Sequence, residues 1–384
     1  MNRILYITYV DYCKKAYPGV EAKIADQILA MREAGYYVDR VNQFDTAAQL
    51  VDCNDNSIET YKALIRRFSI YKTVKFAVKK RDYVCAYIRF QFFSEDVHQI
   101  VSLLHRRKTK VIIEFPTYPY EGELHQQGIK GEIKLICDKL YRNVCRKYID
   151  TFVTCSEDEK IYGVPCIHVL NGMDYSSHPL RNIRPAKENE LHLLAVASML
   201  PWHGYDRLLN GLAYYYRGGS SKPVANIVLH LVGDGKEIPK YKEIVATKHL
   251  DQHVMFYGMQ KGEALRKIVS DCDIAVGSLA AFRIGLKKIS TLKSREYCAW
   301  GFPTINATET DILNMDDPFC LFVPEDESPV DIEKVVAFYK RVYFEYGLTP
   351  DRIAERIRLT GVACSDVRAV FRPIVDYIAS CSKR

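Results

Sequence analysis

Apolar runs typical of buried strands alternate with amphipathic stretches in the first part of the chain. ILYITYV at 4–10 predicts a strand, and VEAKIADQILAMREAG at 20–35 predicts a helix, because its apolar residues recur at helical spacing until Gly35. Further strands are predicted at 36–41, 83–90, 110–115 and 151–156. This β-α-β-α order is typical of a parallel sheet covered by helices on both faces.

The same pattern restarts in the second half, with strands predicted at 191–200, 226–235, 253–259 and 272–279. The fold class is therefore α/β, with two doubly wound Rossmann-like domains facing a cleft. The charged, proline-containing stretch 184–190 fits a linker or domain edge. The expected organisation is a first domain at 1–172, a linker at 173–190, a second domain at 191–365, and a helix at 366–384 that packs back on the first domain.

Composition is that of a globular protein, since 48% of the 384 residues are hydrophobic and 26% are charged. The sequence has no run of about 18 apolar residues, so no membrane-spanning helix is expected. The N-terminus becomes polar too soon for a signal peptide. Twelve cysteines without a C-x-x-C pair predict reduced thiols in a cytosolic protein. The net charge of +7 fits an anionic small molecule, a membrane surface or nucleic acid.

The stretch KKISTLKSREYCAWGFPTI at 287–305 carries a candidate anion site. Ser290 is the expected N-cap of a helix that Gly301 ends, so the first-turn amides and the preceding lysines would favour a phosphate. Glu296, about one turn further in, would accept hydrogen bonds from sugar hydroxyls. A solvated basic loop with Glu296 paired to a lysine is the alternative interpretation.

Several motifs occur in the order typical of one family of enzymes. They are PGVEAKIADQILAMREAG at 18–35, NGMD at 171–174, VASMLPWHGYDRLLNGL at 196–212, LVGDGKE at 231–237, VMFYGM at 254–259 and the stretch 272–305. In this order they resemble retaining GT-B glycosyltransferases of the family 4 type, over most of residues 1–365. The resemblance implies a hexosyltransferase that moves a sugar, with retention, from a nucleotide-sugar to a glycan or lipid-linked acceptor. It also implies a role in surface polysaccharide synthesis and no metal or other cofactor.

The chain departs from this family at three charged positions. Glu296 matches the second glutamate of the family's pair, which holds the donor ribose, but Lys288 replaces the first glutamate. Ser198 and His203 replace the arginine and lysine that neutralise the diphosphate. Lys288, Lys293 or Arg283 would restore the missing positive charge from the other side of the site.

Residue by residue, the resemblance implies a donor site. The donor-binding residues are expected to be Gly19, Ser198, Gly233, Gly258, Met259, Arg283, Ser290, Thr291, Leu292, Lys293 and Glu296. A protonated His203 would donate to a phosphate oxygen, or else cap its own turn. Gly19 would let the backbone approach an anion, or else serve as an ordinary turn glycine.

Glu114, His203 and Lys288 are the candidate catalytic residues. Glu114 ends a predicted strand and would bind an acceptor hydroxyl; a salt bridge to an arginine is the alternative. Asp271 and Asp273 imitate an Asp-x-Asp metal motif, but Asp273 begins a buried strand, so no metal site is expected.

The stretch YKALIRRFSIYKTVKFAVKKR at 61–81 has eight basic residues and no acid. Leu64, Phe68, Tyr71 and Val78 are expected to form its apolar face. A membrane or acceptor surface would use Arg66, Arg67, Lys72, Lys75 and Lys79. The alternative is a helix packed on the sheet with a solvated basic face. The favoured interpretation combines the two, with the apolar face toward the core and the lysines toward a lipid headgroup or a lipid-linked acceptor. The absence of a nucleic-acid-binding motif argues against a nucleic-acid partner.

Other functions fit the same architecture. A nucleotide-sugar epimerase or a phosphorylase would share it, and a catalytically silent nucleotide-binding module would keep the altered glutamate pair. A basic membrane-surface protein would bind anionic lipid without nucleotide. The expected location is the cytoplasm, at the inner face of the membrane if the basic surface binds lipid.

Overall fold

The computed structural model describes residues 2–13, 18–64, 66–125, 127–217 and 223–382. It divides into two compact units, each with its own sheet and hydrophobic core. The first unit comprises Met1–Gly172 with Val367–Arg384, and the second comprises Met173–Asp366.

The first unit is built on a nine-stranded sheet. Its strands are β1 Arg3–Asp11, β2 Tyr37–Phe44, β3 Ala47–Val51, β4 Ser57–Lys62, β5 Cys85–Arg89, β6 Lys110–Glu114, β7 Thr151–Thr154, β8 Lys160–Ile161 and β9 Val164–His168. The order is β4-β3-β2-β1-β5-β6-β7-β9-β8. Its helices are α1 Pro18–Glu33, α2 Arg66–Lys80, α3 Glu95–Arg106, α4 Glu121–His125 and α5 Ile129–Cys145.

The second unit has a six-stranded, fully parallel sheet of order β12-β11-β10-β13-β15-β17 and a two-stranded sheet of β14 and β16. Its strands are β10 Glu190–Val196, β11 Asn226–Val232, β12 Val254–Phe256, β13 Ile274–Val276, β14 Lys288–Ile289, β15 Thr304–Asn306, β16 Glu309–Thr310 and β17 Cys320–Phe322. Its helices are α6 Tyr205–Tyr216, α7 Ile238–Thr247, α8 Gly262–Ser270, α9 Leu292–Trp300, α10 Ile332–Lys340 and α11 Pro350–Ser365. Helices α12 (Val367–Val370) and α13 (Arg372–Ser382) belong to the first unit.

Helices cover both faces of the first sheet. The buried sides of α2, α3 and α5 share one core cluster, in which α3 packs between α2 and α5. On the other face, Ile24 and Ile28 of α1 share a core with Phe371 and Ile374 of the C-terminal segment. The doubly wound α/β class predicted from the hydrophobic pattern is confirmed.

The first sheet is not purely parallel, contrary to the prediction. Strands β3 and β4 extend β2 as antiparallel neighbours, and β8 pairs antiparallel with β9. The tight turns are made by Asp45 and Asp55, both with positive φ, a conformation that aspartate tolerates better than most residues. Because β4 extends to Lys62, the basic stretch 61–81 begins as a strand and becomes helical at Arg66.

In each unit, the residues at the crossing points between the two units lie against each other. In the first unit, Gly172 packs so tightly that a Cβ on it would lie 2.8 Å from the Cα of Val367. In the second unit, Met173 and Asp366 form a parallel bridge, and the N–H of Met173 donates to the carbonyl of Ser365 at 3.0 Å. The second unit therefore begins and ends at adjoining residues.

The stretch 173–190, expected as a linker, packs on the second unit. Arg181 donates to the carbonyls of Trp300 and Gly301, at 2.9 and 2.6 Å. Among the described residues, no helix combines the length and apolarity needed to cross a bilayer.

Candidate active site

Four loops meet at the carboxyl edge of the second sheet, where ligands bind in doubly wound folds. Gly233 follows β11 with φ 128°, and a Cβ there would lie 1.9 Å from the carbonyl oxygen of Ala197. Gly204 follows β10 with φ 65° and lies against Ala280 in the loop after β13. The N–H of Gly233 donates to the carbonyl of Gly258 at 2.8 Å. Glycine is required for the close approaches of Gly233 and Gly204, and the predicted Gly258 lies at the same edge through its bond to Gly233.

Helix α9 directs its first turn toward the same edge. The Thr291 hydroxyl, not that of Ser290, accepts the N–H of Ser294, so the predicted N-cap is wrong by one residue. Ser290 instead donates to Asp311 at 2.7 Å and accepts from Arg295 at 3.0 Å, within a buried ion pair. Gly301 ends the helix with φ 72°, as predicted. The amides of Leu292 and Lys293 have no partners within the helix and are available to an anion.

Lys293 is a buried cation without a carboxylate partner. It is 9% exposed, and its Nζ lies 3.5 Å from the Tyr205 hydroxyl and 5.6 Å from the centre of that ring. Within the described parts of the chain it forms no ion pair. Burial lowers the pKa of Lys293 to about 7. A buried ammonium with these neighbours favours the binding of an anion.

His203 lies beside Lys293 but is neutral. Its Nδ1 accepts the N–H of Leu200 at 3.1 Å, and its ring stacks on Tyr205 with 5.8 Å between ring centres. Burial, assisted by the nearby charge of Lys293, lowers the pKa of His203 to about 2. The expectation of a protonated His203 is therefore not met; the ring caps its own turn and keeps its proton on Nε2.

Glu296 lies about one turn after Lys293 on α9, at a recess of the second unit. It is half-buried and lines a cavity of about 960 Å³ with His178, Trp300 and residues of α8. It makes no hydrogen bond or ion pair within the described residues, so a lysine partner for Glu296 is not observed. Burial raises the pKa of Glu296, and His178 opposes that rise. A carboxylate without a protein donor in a cavity is suited to accept hydrogen bonds from ligand hydroxyls.

Lys288 and Arg283, the two other cations expected to restore positive charge, differ from Lys293 in their surroundings. Lys288 is exposed on β14. Arg283 forms ion pairs with Asp206, at 3.0 Å, and with Glu327, so its charge is already neutralised. Of the three cations proposed to restore positive charge, only Lys293 is both buried and without a carboxylate partner. The other predicted donor residues are less enclosed, since Ser198 and Met259 are exposed and Leu292 is partly exposed.

The two aspartates of the Asp-x-Asp motif differ in their surroundings, and Asp273 has a structural role. Asp273 is buried, accepts two bonds of 2.9 Å from Arg184, and accepts the N–H of His192 at 2.8 Å. Asp271 is exposed. Within the described residues, no cluster of three or more histidine, cysteine, aspartate or glutamate side chains is placed to hold a metal ion.

Glu114 is the centre of a buried polar network in the first unit. It is 3% exposed and accepts from Arg89 at 2.8 Å, Lys23 at 3.0 Å, Tyr87 at 3.2 Å and Gln27 at 3.2 Å. Burial opposes ionisation, but Arg89 and Lys23 outweigh it and lower the pKa of Glu114 to about 2. Because these four donors occupy the carboxylate, Glu114 is not placed to bind an acceptor hydroxyl, and its contact with Arg89 matches the structural alternative.

An aromatic cavity lies next to this network, at the carboxyl ends of β1, β5 and β6. It has a volume of about 410 Å³, and Arg89 and Val20 also line it. Its aromatic lining consists of Tyr9, Phe90, Phe92, Phe115 and Tyr120. The predicted Gly19 is exposed in the first turn of α1, directly before Val20. The sequence hypothesis missed this cavity, although aromatic residues cluster after the strands ending at Arg89 and Glu114.

Of the four residues predicted for the apolar face of α2, only Val78 is fully buried. The buried side chains are Ile70, Val74, Ala77 and Val78, whereas Phe68 and Tyr71 are half-buried and Leu64 is fully exposed before the helix begins. The correction follows from the helix starting only at Arg66. The side chain of Arg66 lies outside the described part of the chain.

The other predicted basic residues divide into two groups. Lys72, Lys75 and Lys79 are exposed. Arg67 instead stacks on the ring of Phe92, with 3.9 Å to its centre, and lies 3.6 Å from Asp96. The outward lysines are therefore free to meet an anionic surface, whereas Arg67 packs on Phe92, which lines the aromatic cavity.

Solved glycosyltransferases share this fold over nearly the whole chain. A glycosyltransferase from Rickettsia africae ESF-5 aligns with a TM-score of 0.68 and 14% identity, covering 100% of this chain and 99% of that one. The apo form of the lipopolysaccharide outer core galactosyltransferase WaaB aligns with a TM-score of 0.58 and 15% identity, covering 98% and 99%. The pneumococcal O-GlcNAc transferase GtfA, in complex with UDP and GlcNAc, aligns with a TM-score of 0.52 and 9% identity, covering 90% and 70%.

No family model matches the chain, and no curated protein matches it in sequence. The likeness to these solved structures shows that the chain has the GT-B glycosyltransferase fold, as the resemblance predicts. At these identities the likeness establishes the fold alone, and family 4 membership stays a prediction.

Proposed function

We propose that the protein is a glycosyltransferase that moves a sugar from a nucleoside-diphosphate sugar to a glycan or lipid-linked acceptor. The observation that carries the proposal is Lys293, a buried cation without a carboxylate partner on the first turn of α9. A diphosphate would supply the missing negative charge, and the free amides of that turn would bind its oxygens.

The donor site of this proposal combines three parts of the second unit. Lys293, the α9 amides and the Nε2–H of neutral His203 would hold the diphosphate. Glu296, free of protein donors in its cavity, would accept hydrogen bonds from the ribose hydroxyls. GtfA, which shares the fold, was solved with UDP and GlcNAc, so a uridine nucleotide is the first donor to test.

The proposed transfer proceeds with retention and without a metal. The bond between the sugar C1 and the diphosphate oxygen breaks, and its electron pair stays on the phosphate. The acceptor oxygen bonds to C1 on the same face, and its proton passes to the departing phosphate. The main demand on the protein is to stabilise that developing charge, which Lys293 and the helix amides can meet.

On the acceptor side, the aromatic cavity of the first unit would bind a sugar ring. Its five aromatic side chains offer flat apolar faces, and Arg89 offers a donor at one edge. WaaB is named for the lipopolysaccharide outer core, and a role in surface polysaccharide synthesis at the inner face of the membrane is part of the same proposal.

The experiment is calorimetry and thermal shift with UDP, GDP, ADP, TDP and CDP, each with and without Mg²⁺. Selective binding of one nucleotide, unchanged by Mg²⁺, supports the donor site. Transfer and donor-only turnover are then measured with the matching nucleotide-sugar. Absence of binding at millimolar concentration would overturn the proposal, and interconversion of the donor without acceptor would indicate an epimerase instead.

A further inference from the structure

Helix α5 exposes a continuous aliphatic stripe on the surface of the first unit. Its five residues are between 37% and 82% exposed, and they are Ile129, Ile133, Ile136, Leu140 and Val144. Their spacing of three or four residues places them on one side of the helix, along about 22 Å of its length. The opposite side, with Leu135 and Cys145, is buried in the core. The helix is therefore apolar on its outer side as well, which its packing in the first unit does not require.

Positive charges border the stripe. Lys130 and Lys139 are exposed and, at 100° per residue, fall on opposite sides of it. Arg146 and Lys147 are exposed just beyond its C-terminal end. Glu132, an acidic residue of the same helix, has its carboxylate oxygen 2.6 Å from Nδ1 of His125.

The neighbouring helices extend this basic surface. Helices α2, α3 and α5 lie side by side on one face of the sheet, so their outer sides point away from the sheet together. The outer side of α2 carries Lys72, Lys75 and Lys79, and α2 contains no acidic residue. The surface therefore combines one apolar helix side with cations on the same layer.

We propose that α5 lies in the interface of an anionic lipid bilayer, with its stripe among the acyl chains. Lys130 and Lys139 would extend to the headgroups on either side, and the lysines of α2 would add long-range attraction. A second copy of the chain is the poorer occupant, because two such surfaces would bring like charges together whereas anionic headgroups neutralise them. The apolar contact is thereby assigned to α5, whereas the sequence hypothesis assigned only the basic residues of the stretch 61–81 to a membrane surface.

Flotation of the full chain with lipid vesicles tests this proposal. Wild type is expected to bind vesicles of phosphatidylcholine with phosphatidylglycerol at least ten-fold better than pure phosphatidylcholine. The double variant Ile133→Glu with Leu140→Glu is expected to lose at least ten-fold in binding. The control, Met315→Glu with Leu359→Glu, changes two similarly exposed apolar residues of the second unit and is expected to bind as wild type. Replacing Lys130 or Lys139 by glutamine is expected to weaken binding roughly five-fold each.

A second measurement does not depend on the stability of the glutamate variants. Ile136→Trp is expected to show quenching by brominated acyl chains above the background of Trp202 and Trp300 in wild type. Lack of added quenching, or equal vesicle binding by wild type and the double glutamate variant, overturns the proposal. So does a wild-type dimer in sedimentation that this variant dissociates, which would identify a second copy as the occupant. Nucleotide binding is measured on the same samples, and its loss would concern the donor site alone.

Discussion

The ammonium of Lys293 ends 3.5 Å from the hydroxyl of Tyr205, and no carboxylate in the described parts of the chain forms an ion pair with it. Burying a cation without a counter-charge costs stability, and such a cost is commonly found where a ligand completes the site. Lys293 beside Tyr205 is therefore a cation whose counter-charge a ligand would supply, so the first predictions concern Lys293.

Lys293→Met is expected to stabilise the protein and weaken donor binding at once. The pKa falls from 10.5 to about 7 on burial, which corresponds to an upper limit of about 5 kcal/mol in the free energy of unfolding. Nucleoside-diphosphate affinity should fall roughly ten-fold or more, because a charge-assisted hydrogen bond is lost. Chemical denaturation and calorimetry measure the two effects. Lys334→Met, at an exposed position of α10, is the control and should change neither.

The stability difference between Lys293→Met and wild type should depend on pH. The folded-state pKa lies below the unfolded one, so the unfolded chain binds more protons between about pH 7 and 10.5, and wild type gains stability as pH rises through that window. The advantage of the variant is therefore largest below pH 7 and shrinks toward pH 10. Denaturation at pH 6, 8 and 9.5 measures it, and a constant difference would contradict an unpaired lysine.

Donor affinity in wild type should decline as pH rises above about 7, because Lys293 loses its proton in the free protein. No step is expected near pH 6 from His203, since burial lowers its pKa to about 2. Calorimetry with a nucleotide-sugar suits this test, because its diphosphate has no ionisation near neutrality. A rise in affinity below pH 6.5 that His203→Gln removes would show that His203 acts protonated.

Glu296→Gln should reduce discrimination between ribose and deoxyribose nucleotides. A carboxylate bond to a hydroxyl is worth about 1.5–3 kcal/mol, so wild type should prefer the ribonucleoside diphosphate by roughly ten-fold or more. The variant should lose most of that preference while it still binds the deoxy form. Glu355→Gln, exposed on α11, is the matched control. Equal preference in both proteins would remove Glu296 from the ribose site.

Glu114→Gln should destabilise the first unit by about 3–5 kcal/mol near neutral pH, because it leaves Arg89 and Lys23 buried without a counter-charge. The folded-state pKa of Glu114, about 2, lies below its usual value, so its contribution is present above about pH 4.5 and is lost as pH falls toward 2. Urea denaturation at pH 7 and pH 3 should show the difference between variant and wild type shrinking. Glu95→Gln on α3 is the exposed control.

Asp273→Asn should destabilise the second unit by about 3–5 kcal/mol, because Arg184 loses a buried partner. Asp271→Asn, two residues earlier and exposed, should change stability by less than about 0.5 kcal/mol. Thermal unfolding compares them. If the two aspartates instead hold a metal, both variants should weaken Mn²⁺ binding alike, a result that the pairing of Asp273 with Arg184 argues against.

Hydrophobic periodicity was sufficient to predict the fold class, because buried strands and half-buried helices leave regular patterns. It predicted the strand at 4–10 and the helix at 20–35 within a few residues of β1 and α1. It missed β3 and β4, which are short and have little apolar alternation. The exposed stripe of α5 was also missed, since periodicity shows that a face is apolar but not what covers it.

Pairings between distant residues limited the prediction of the site. Arg283 looked like a free cation, but Asp206 and Glu327 neutralise it from positions 77 and 44 residues away. Ser290 looked like a cap, but Asp311 and Arg295 engage its hydroxyl. Lys293 was one candidate among three until burial distinguished it. Local sequence shows which groups are present, and only the folded chain shows which of them are already paired.

The adjoining ends of each unit make the chain modular. Residues 173–366 form one uninterrupted insertion, and Gly172 lies against Val367 where the first unit resumes. A single exchange of that insertion would replace the whole candidate donor half and leave the residues of the candidate acceptor half, α5 included, unchanged. On the proposed assignment of the two sites, donor preference and acceptor preference would be encoded in separate segments of the gene.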